Sequence, residues 1–256
     1  MIIVYTIEPE LDSAKKLGFK TIAHLTKPLS HYNNHTVVRW GNSWKMRDEA
    51  SGTRVDFRKV LNPADSIAAN CLKHESLAKL AGVVPTAPIF ELTVPAGKVA
   101  VVRPIEHCGG SGFTIKEGPF TIPRGHYATE FVSTPKEFRV WFAGDKTMCG
   151  RRIPVETDEF DAAAVEAALA DRFPCRSKWG YTHFEATFPL LHRLTLEAAK
   201  TLKLQLGAAD VLWDGSRYYF LELNSAPTLD SRKAIAFYQE NIERMAAGLD
   251  DDEEGE

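Results

Sequence analysis

Cysteine is scarce in this sequence. Its four thiols, Cys71, Cys108, Cys149 and Cys175, stand far apart and form no C-x-x-C pair. That spacing argues against a zinc ribbon or a disulfide framework and for reduced thiols. Long apolar runs are missing as well: none approaches the about 18 residues of a membrane span. The opening MIIVYTIEPE has no basic residue and no small-residue cleavage pattern, so it reads as a strand rather than a leader. Internal repeats and low-complexity tracts are absent from the body of the chain. What remains is a single ordinary chain without metal staples, disulfides or a bilayer.

The 256 residues are 44% hydrophobic and 25% charged, the balance of a chain that builds a packed core. This length suits one large domain or two to three small subdomains. The net charge of −3 is unevenly placed, because six acids crowd residues 250–256; without them the chain carries +3. Such a tail reads as a disordered, solubilising end. The mildly basic remainder suits an anionic substrate such as a nucleotide. Arg39, Trp40, Trp44, Lys45, Arg47, Arg54, Arg58 and Lys59 mix basic and tryptophan side chains as single-stranded nucleic-acid binders do. Asp48, Glu49 and Asp56 dilute that patch and weaken the nucleic-acid reading. His31 and His35 flank Asn33-Asn34, a turn rather than a helical zinc pair.

Residues 2–6, 20–25 and 36–40 read as strands around a short helix over 8–17 that stops at Gly18. Asn62-Pro63 predicts the cap and first turn of a helix running to Gly82. Apolar positions Ile67, Cys71, Leu72, Leu77, Ala78 and Ala81 form its stripe, with Lys73 within it. Residues 85–88 read as a linker, and 89–93 and 99–102 as strands. After Arg103 comes a loop with Gly109, Gly110 and Gly112, whose backbone N–H groups can approach a phosphate. It matches neither the Walker pattern nor G-x-G-x-x-G. Residues 126–132, 137–143 and 147–155 predict antiparallel strands. Along EFRVWFA, Glu137 and Arg139 share one face, and Phe138, Val140 and Phe142 the other. Residues 158–172 read as a helix, 175–181 as a loop with Arg176, Lys178 and Trp179, 184–204 as a long helix and 231–247 as a last one.

The stretch GAADVLWDGSRYYFLELN, residues 207–224, carries the clearest signal. Asp214-Gly215 between two apolar runs predicts a hairpin with a loop of about four residues. Asp210 lies on its first strand. Glu222 and Asn224, two apart, share a face of the second. Two carboxylates and an amide oxygen make an all-oxygen cluster of the kind that suits Mg²⁺, which takes one or two carboxylates plus substrate phosphates. The competing reading is a strand-end cap and an exposed edge charge. Arg139, with Arg151 and Arg152, would stand beside this cluster or simply pair across strands with Glu137 or Glu156.

The order of these pieces resembles the ATP-grasp superfamily, within it the ribosomal-protein glutamate ligases and related phage-type proteins. GAADVLWDG, LELNSAP and EFRVWF, in that family's order, carry the resemblance, which runs from about residue 37 to 238. It implies an α+β fold in which two subdomains clasp ATP. The expected divisions are an amino-terminal α/β unit at 1–62, a central subdomain at 63–132, a carboxyl-terminal subdomain at 133–248 and the acidic tail at 249–256. It also implies that Lys73 is a nucleotide-binding lysine and that Arg103 and the loop of Gly109, Gly110 and Gly112 hold the phosphates. Glu130, Phe131 and Val132 would read adenine and Glu137 the ribose. Arg139 would meet the transferred phosphate, with Arg152 and Lys178 as further contacts. Asp210, Glu222 and Asn224 would hold Mg²⁺ or Mn²⁺. Arginine at position 103 departs from the family's usual lysine, and the amino-terminal unit is short for the family. The implied activity is a cytoplasmic (host-cytoplasmic if phage-encoded) carboxylate–amine ligase working through an acylphosphate. Its substrates would be ATP, a carboxylate and an amine, such as amino acids or peptides. A kinase and a non-catalytic ATP-binding protein are the alternatives.

Overall fold

The computed structural model describes residues 1–7, 11–23, 32, 34–43, 57–105, 112–133, 136–154, 179–184 and 188–249. The acidic tail, the expected helix at 158–172, Gly109, Gly110, Lys178, Trp44, Lys45, Arg47 and Arg54 lie outside the described residues. No described helix is long and apolar enough to cross a membrane.

The amino-terminal strands β1 (Ile2–Thr6), β2 (Lys20–Ile22), β3 (Thr36–Trp40) and β4 (Lys59–Leu61) form a parallel sheet in the order β2-β1-β3-β4. A short helix, α1 (Asp12–Lys16), connects its first two strands. All of β3 is buried, as expected of a strand covered on both faces. Next come α2 (Ala64–Cys71) and α3 (Lys73–Ala81), then β5 (Ile89–Phe90), β6 (Thr93–Val94), β7 (Val99–Pro104), β8 (Thr114–Glu117), β9 (Phe120–Thr121) and β10 (His126–Glu130). These strands make an antiparallel sheet, β5-β10-β7-β8, and a small β6–β9 ribbon. The third sheet has five antiparallel strands: β11 (Lys136–Ala143), β12 (Lys146–Pro154), β13 (Trp179–Phe184), β14 (Leu206–Trp213) and β15 (Tyr218–Asn224), ordered β13-β12-β11-β14-β15. Two helices complete the chain, α4 (Pro189–Thr201) and α5 (Arg232–Ala247).

The five-stranded sheet is the central layer. Phe138, Val140 and Phe142 of β11, with Ala209, Val211, Phe220 and Leu223 of the hairpin, pack against Ile67, Leu80, Leu191, Leu194 and Ala198 from α2, α3 and α4. Trp141, Leu206 and Ala208 on the opposite face join Val4, Val38, Trp40 and Leu61 of the parallel sheet and Tyr238, Ile242 and Met245 of α5. Along EFRVWFA, Phe138, Val140 and Phe142 thus face one core and Trp141 and Ala143 the other. The Asp214 carboxylate shapes the hairpin turn by accepting from the N–H groups of Ser216 and Arg217 at 2.8 Å each, and these bonds pull its pKa down to about 2.

Several expected elements are corrected. Asn62 is not the helix cap; Pro63 occupies that place, with no side-chain capping bond. Asn62, fully buried at φ 60°, turns its amide elsewhere. Its Oδ1 accepts from the N–H groups of Gln205 and Leu206 (2.8 and 3.0 Å), and its Nδ2 donates to the Leu206 carbonyl at 2.8 Å. That amide staples the start of α2 to the entrance of β14. The single helix expected to Gly82 is two, because Leu72 takes φ −81°, ψ 80° and breaks the run between Cys71 and Lys73. The expected strand at 89–93 is interrupted after Phe90, and β10 ends at Glu130 rather than 132. In the 85–88 linker, Thr86 bridges in parallel to Phe220. Residues 179–181, expected in a loop, and Phe184, expected to open a helix, belong to β13, which pairs with β12 from Cys149↔Phe184 to Pro154↔Trp179.

Replacing Asn62 with glycine keeps the left-handed backbone accessible and removes the staple. Buried groups of Gln205 and Leu206 then lose their partners, and chemical denaturation should show a loss of about 2–4 kcal/mol.

Candidate nucleotide and metal site

Everything at the site hangs on one irregularity of the hairpin. Between β14 and β15, Asp210 pairs with Glu222, but the next pair is Val211 with Phe220, so Leu221 is an extra residue, a β-bulge. Strict alternation would put Glu222 on the same face as Phe220, in the core. The extra residue shifts the phase. Phe220 and Leu223, three apart, both enter the helix-facing core, while Glu222 and Asn224 turn with Asp210 into a cleft of about 810 Å³.

Neighbouring strands supply the cations. Arg139 sits opposite Asp210 in the β11–β14 register. Its Nε and Nη2 donate to Oδ1 and Oδ2 of that carboxylate at 2.8 and 2.9 Å, a two-pronged pairing. Its Nη1 donates to Thr228 Oγ1 at 3.2 Å. Arg152 on β12 donates to Glu137 Oε2 at 3.0 Å. The Asn224 amide nitrogen donates to Asp210 Oδ2 (3.2 Å) and Glu222 Oε1 (3.0 Å).

The helix break positions the opposite wall. Lys73, the first residue of α3, reaches across to β15. Its Nζ donates to the Leu223 carbonyl at 2.7 Å and to Asn224 Oδ1 at 3.4 Å, and stands 3.7 Å from Glu222 Oε2. Asn70, at the end of α2, donates to the same Leu223 carbonyl at 2.8 Å. Arg103 at the end of β7 donates to Thr129 Oγ1 at 3.2 Å and faces Tyr127 across the sheet. Burial pushes the Tyr127 phenol above its ordinary pKa, with the adjacent Arg103 pulling the other way, so it stays neutral.

The cleft therefore gathers Lys73, Arg103, Arg139 and Arg152 around Glu137, Asp210 and Glu222. Three of these cations stand beside carboxylates. Arg103 pairs with no carboxylate among the described residues, which leaves the cleft with one positive charge in excess and an open demand for an anion.

Other expected residues stand elsewhere. Glu130 does not line the cleft; its carboxylate is paired with Lys98 at 2.6 Å. Phe131 and Val132 also lie outside the lining, and the Phe131 N–H donates to the Val99 carbonyl at 2.8 Å. Gly112 (φ 74°) lies just before Phe113, which does line the cleft; a Cβ on Gly112 would come within 3.3 Å of Pro104. Asn70, Cys71, Phe113, Tyr127 and Thr228, not among the expected site residues, also line the cleft. Asn70 stood three residues before Lys73 and Thr228 directly after LELNSAP, so proximity to the motifs was the available signal.

Among the described residues, no cluster of three or more His, Cys, Asp or Glu side chains could hold a metal. A cation held here would need the Asn224 oxygen or a ligand's oxygens beside Asp210 and Glu222. That donor set, all oxygen with two carboxylates, fits a hard divalent cation that shares its shell with phosphates.

No protein-family description matches the sequence, and no curated protein does. Solved structures do. The chain is similar to the ATP-grasp ligase PsnB complexed with a minimal precursor, Mg and ADP (14% identity, 91% of each chain covered, TM-score 0.60). It is similar to the macrocyclase MdnC of Microcystis aeruginosa MRC bound with the precursor peptide MdnA (14% identity, 97% of this chain and 100% of that one, TM-score 0.59). A third likeness is to the D-alanine–D-alanine ligase of Bacillus anthracis (12% identity, 97% and 96% covered, TM-score 0.66). The chain thus has the ATP-grasp fold, of the α+β class.

Deleting Leu221 removes the extra residue and leaves Phe220 opposite Val211 and Glu222 opposite Asp210, each still on its own face. The deletion should keep the fold and change the unfolding free energy by about 1 kcal/mol, whereas Phe220→Ala should cost more than about 3 kcal/mol in an unfolding titration, the scale of losing a buried aromatic side chain.

Proposed function

We propose that this chain, folded as an ATP-grasp protein, is an ATP-dependent ligase that joins a carboxylate to an amine and releases ADP and phosphate. The observation that carries the reading is the placement of Asp210, Glu222 and Asn224 on one edge of a cleft whose other charged groups are Lys73, Arg103, Arg139 and Arg152. An edge of oxygen donors facing a cluster of cations is what a metal-bound polyphosphate requires. The solved complexes of similar fold add support. PsnB holds Mg and ADP, and MdnC holds a peptide, so an amino acid or peptide is the acceptor class we favour.

In this reading Arg103 and Lys73 bind phosphate oxygens. Arginine at position 103 supplies a planar fork rather than the point charge of lysine, so it can grip two oxygens at once. Arg139 and Arg152 stabilise charge on the transferring phosphoryl group and orient the attacked carboxylate, with Lys178 as a further contact. Glu137, which lines the cleft, takes the ribose, and the adenine extends beyond that lining toward Glu130, Phe131 and Val132 at the end of β10. The loop containing Gly109, Gly110 and Gly112 covers the phosphates. Asp210, Glu222 and Asn224 would hold Mg²⁺ or Mn²⁺, which when bound neutralises charge on the phosphate oxygens.

The chemistry follows from the leaving group. A carboxylate resists an amine because it would have to expel oxide. Transferring the γ-phosphoryl group to the carboxylate oxygen breaks the bond to ADP and makes an acylphosphate. The amine then attacks the acyl carbon, phosphate leaves, and the amine gives up a proton. Keeping water from the acylphosphate is the task of the cleft walls.

Incubated with ATP, Mg²⁺ and pools of amino acids or short peptides, the chain should release ADP and phosphate and yield a condensed product by mass spectrometry. Glu222→Ala should lower turnover about a hundredfold or more with an unchanged melting curve. AMP and pyrophosphate as products would overturn the acylphosphate route, and a stable phosphorylated product formed without an amine would make the chain a kinase.

A further inference from the structure

The hairpin edge offers a cation five side-chain oxygens, and each is already engaged by a group of the chain itself. Both oxygens of Asp210 accept from Arg139, and Oδ2 also accepts from Asn224. Glu222 Oε1 accepts from Asn224, and its Oε2 stands 3.7 Å from Lys73 Nζ. The remaining oxygen, Asn224 Oδ1, accepts from Lys73 at 3.4 Å. Asn224 thus turns its NH₂ group toward both carboxylates, the end of the amide that repels a metal ion. The cleft satisfies its own ligand set.

We infer that the chain's own donors occlude the cation site until phosphates arrive, so that cation and nucleotide load together. The inference rests on the ATP reading given above. A divalent cation arriving alone must displace Arg139 from both Asp210 oxygens and Lys73 from Glu222 and Asn224. Two cationic side chains are then stranded in a cleft that already carries excess positive charge. A polyphosphate removes that obstacle, since its oxygens offer Arg139 and Lys73 replacement acceptors. The carboxylates are released as the phosphates are gripped, and the Asn224 amide can turn its oxygen inward. Each ligand then strengthens the other's binding by the same factor, as linkage requires. The same exchange delivers Arg139 from its resting carboxylate to the phosphoryl group.

The test is a titration of the full chain with Mn²⁺, with and without ADP, reading unbound Mn²⁺ by electron paramagnetic resonance against the same Mn²⁺–ADP mixtures without protein, so that uptake by ADP itself is subtracted. Wild type should bind Mn²⁺ weakly alone and tightly with ADP. Without nucleotide, Arg139→Gln should bind Mn²⁺ about tenfold more tightly than wild type, the scale of losing charge-assisted hydrogen bonds to the competing group. Arg139→Lys keeps the charge but cannot bridge both oxygens, and should tighten Mn²⁺ about threefold, a shift that removal of bare charge does not give. Lys73→Met, acting from the other wall, should tighten it likewise and serves if the Arg139 variants fail to fold. Wild type that takes up Mn²⁺ equally well without ADP, or variants that bind it no better, would overturn the occlusion while leaving the ATP reading intact. Wild type that takes up no Mn²⁺ even with ADP would remove the ATP reading, and this inference with it.

Discussion

A single strand, β15, has to satisfy two opposed demands. Phe220 and Leu223 must be buried against the helices, because they close the core on one face of the central sheet. Glu222 must stay out of that core, because an isolated carboxylate cannot be buried unpaired at tolerable cost. Regular pleating cannot meet both, since residues 220 and 222 would share a face. The bulge at Leu221 reconciles them. The remaining site geometry is built on its consequence. Glu222 comes to lie beside Asp210, Asn224 beside Glu222, and the Leu223 carbonyl is presented to Asn70 and Lys73.

The cleft walls are fixed by equally local devices. Arg139 faces Asp210 because β11 and β14 are paired in that register, and the same alternation that places it there sends Phe138 and Val140 into the core. Lys73 reaches β15 because the helix breaks at Leu72, and the Asn62 amide holds the strand below the break. Neither wall is held by charge alone. The ion pairs at the surface of the cleft are partly exposed, where such pairs add little to stability. Their arrangement matters for what the cleft can exchange with a ligand.

The hairpin was legible in the sequence because its signals are local: a D-G turn, two β-rich runs and alternation along EFRVWFA. Counting back from the turn puts Leu221, not Glu222, opposite Asp210; only the common face of Glu222 and Asn224 followed from their spacing. The bulge did not, because nothing in YYFLELN marks Leu221 as the extra residue until the core contacts of Phe220 and Leu223 are known. The break at Leu72 was hidden for a related reason. Neither glycine nor proline punctuates it, so the helical period runs through. Asn62 has the composition of a cap, yet its partners lie 143 and 144 residues away in sequence, beyond any local rule. Strands of two to four residues such as β4, β8 and β9 carry too few positions to show a period. The expected adenine contact at Glu130 came from the family resemblance rather than from local chemistry, and its carboxylate is paired with Lys98.

In the reading proposed above, the hairpin edge and the cations opposite it together form the binding site for a metal-bound nucleotide. A crystal structure of the full chain grown with ADP and Mn²⁺, with the metal located by its anomalous scattering, tests this most directly. One strong anomalous peak is expected in contact with the Asp210 and Glu222 carboxylates and an ADP phosphate, with a second phosphate against Arg103. Nucleotide bound outside the cleft, or a metal peak touching neither carboxylate, would contradict it.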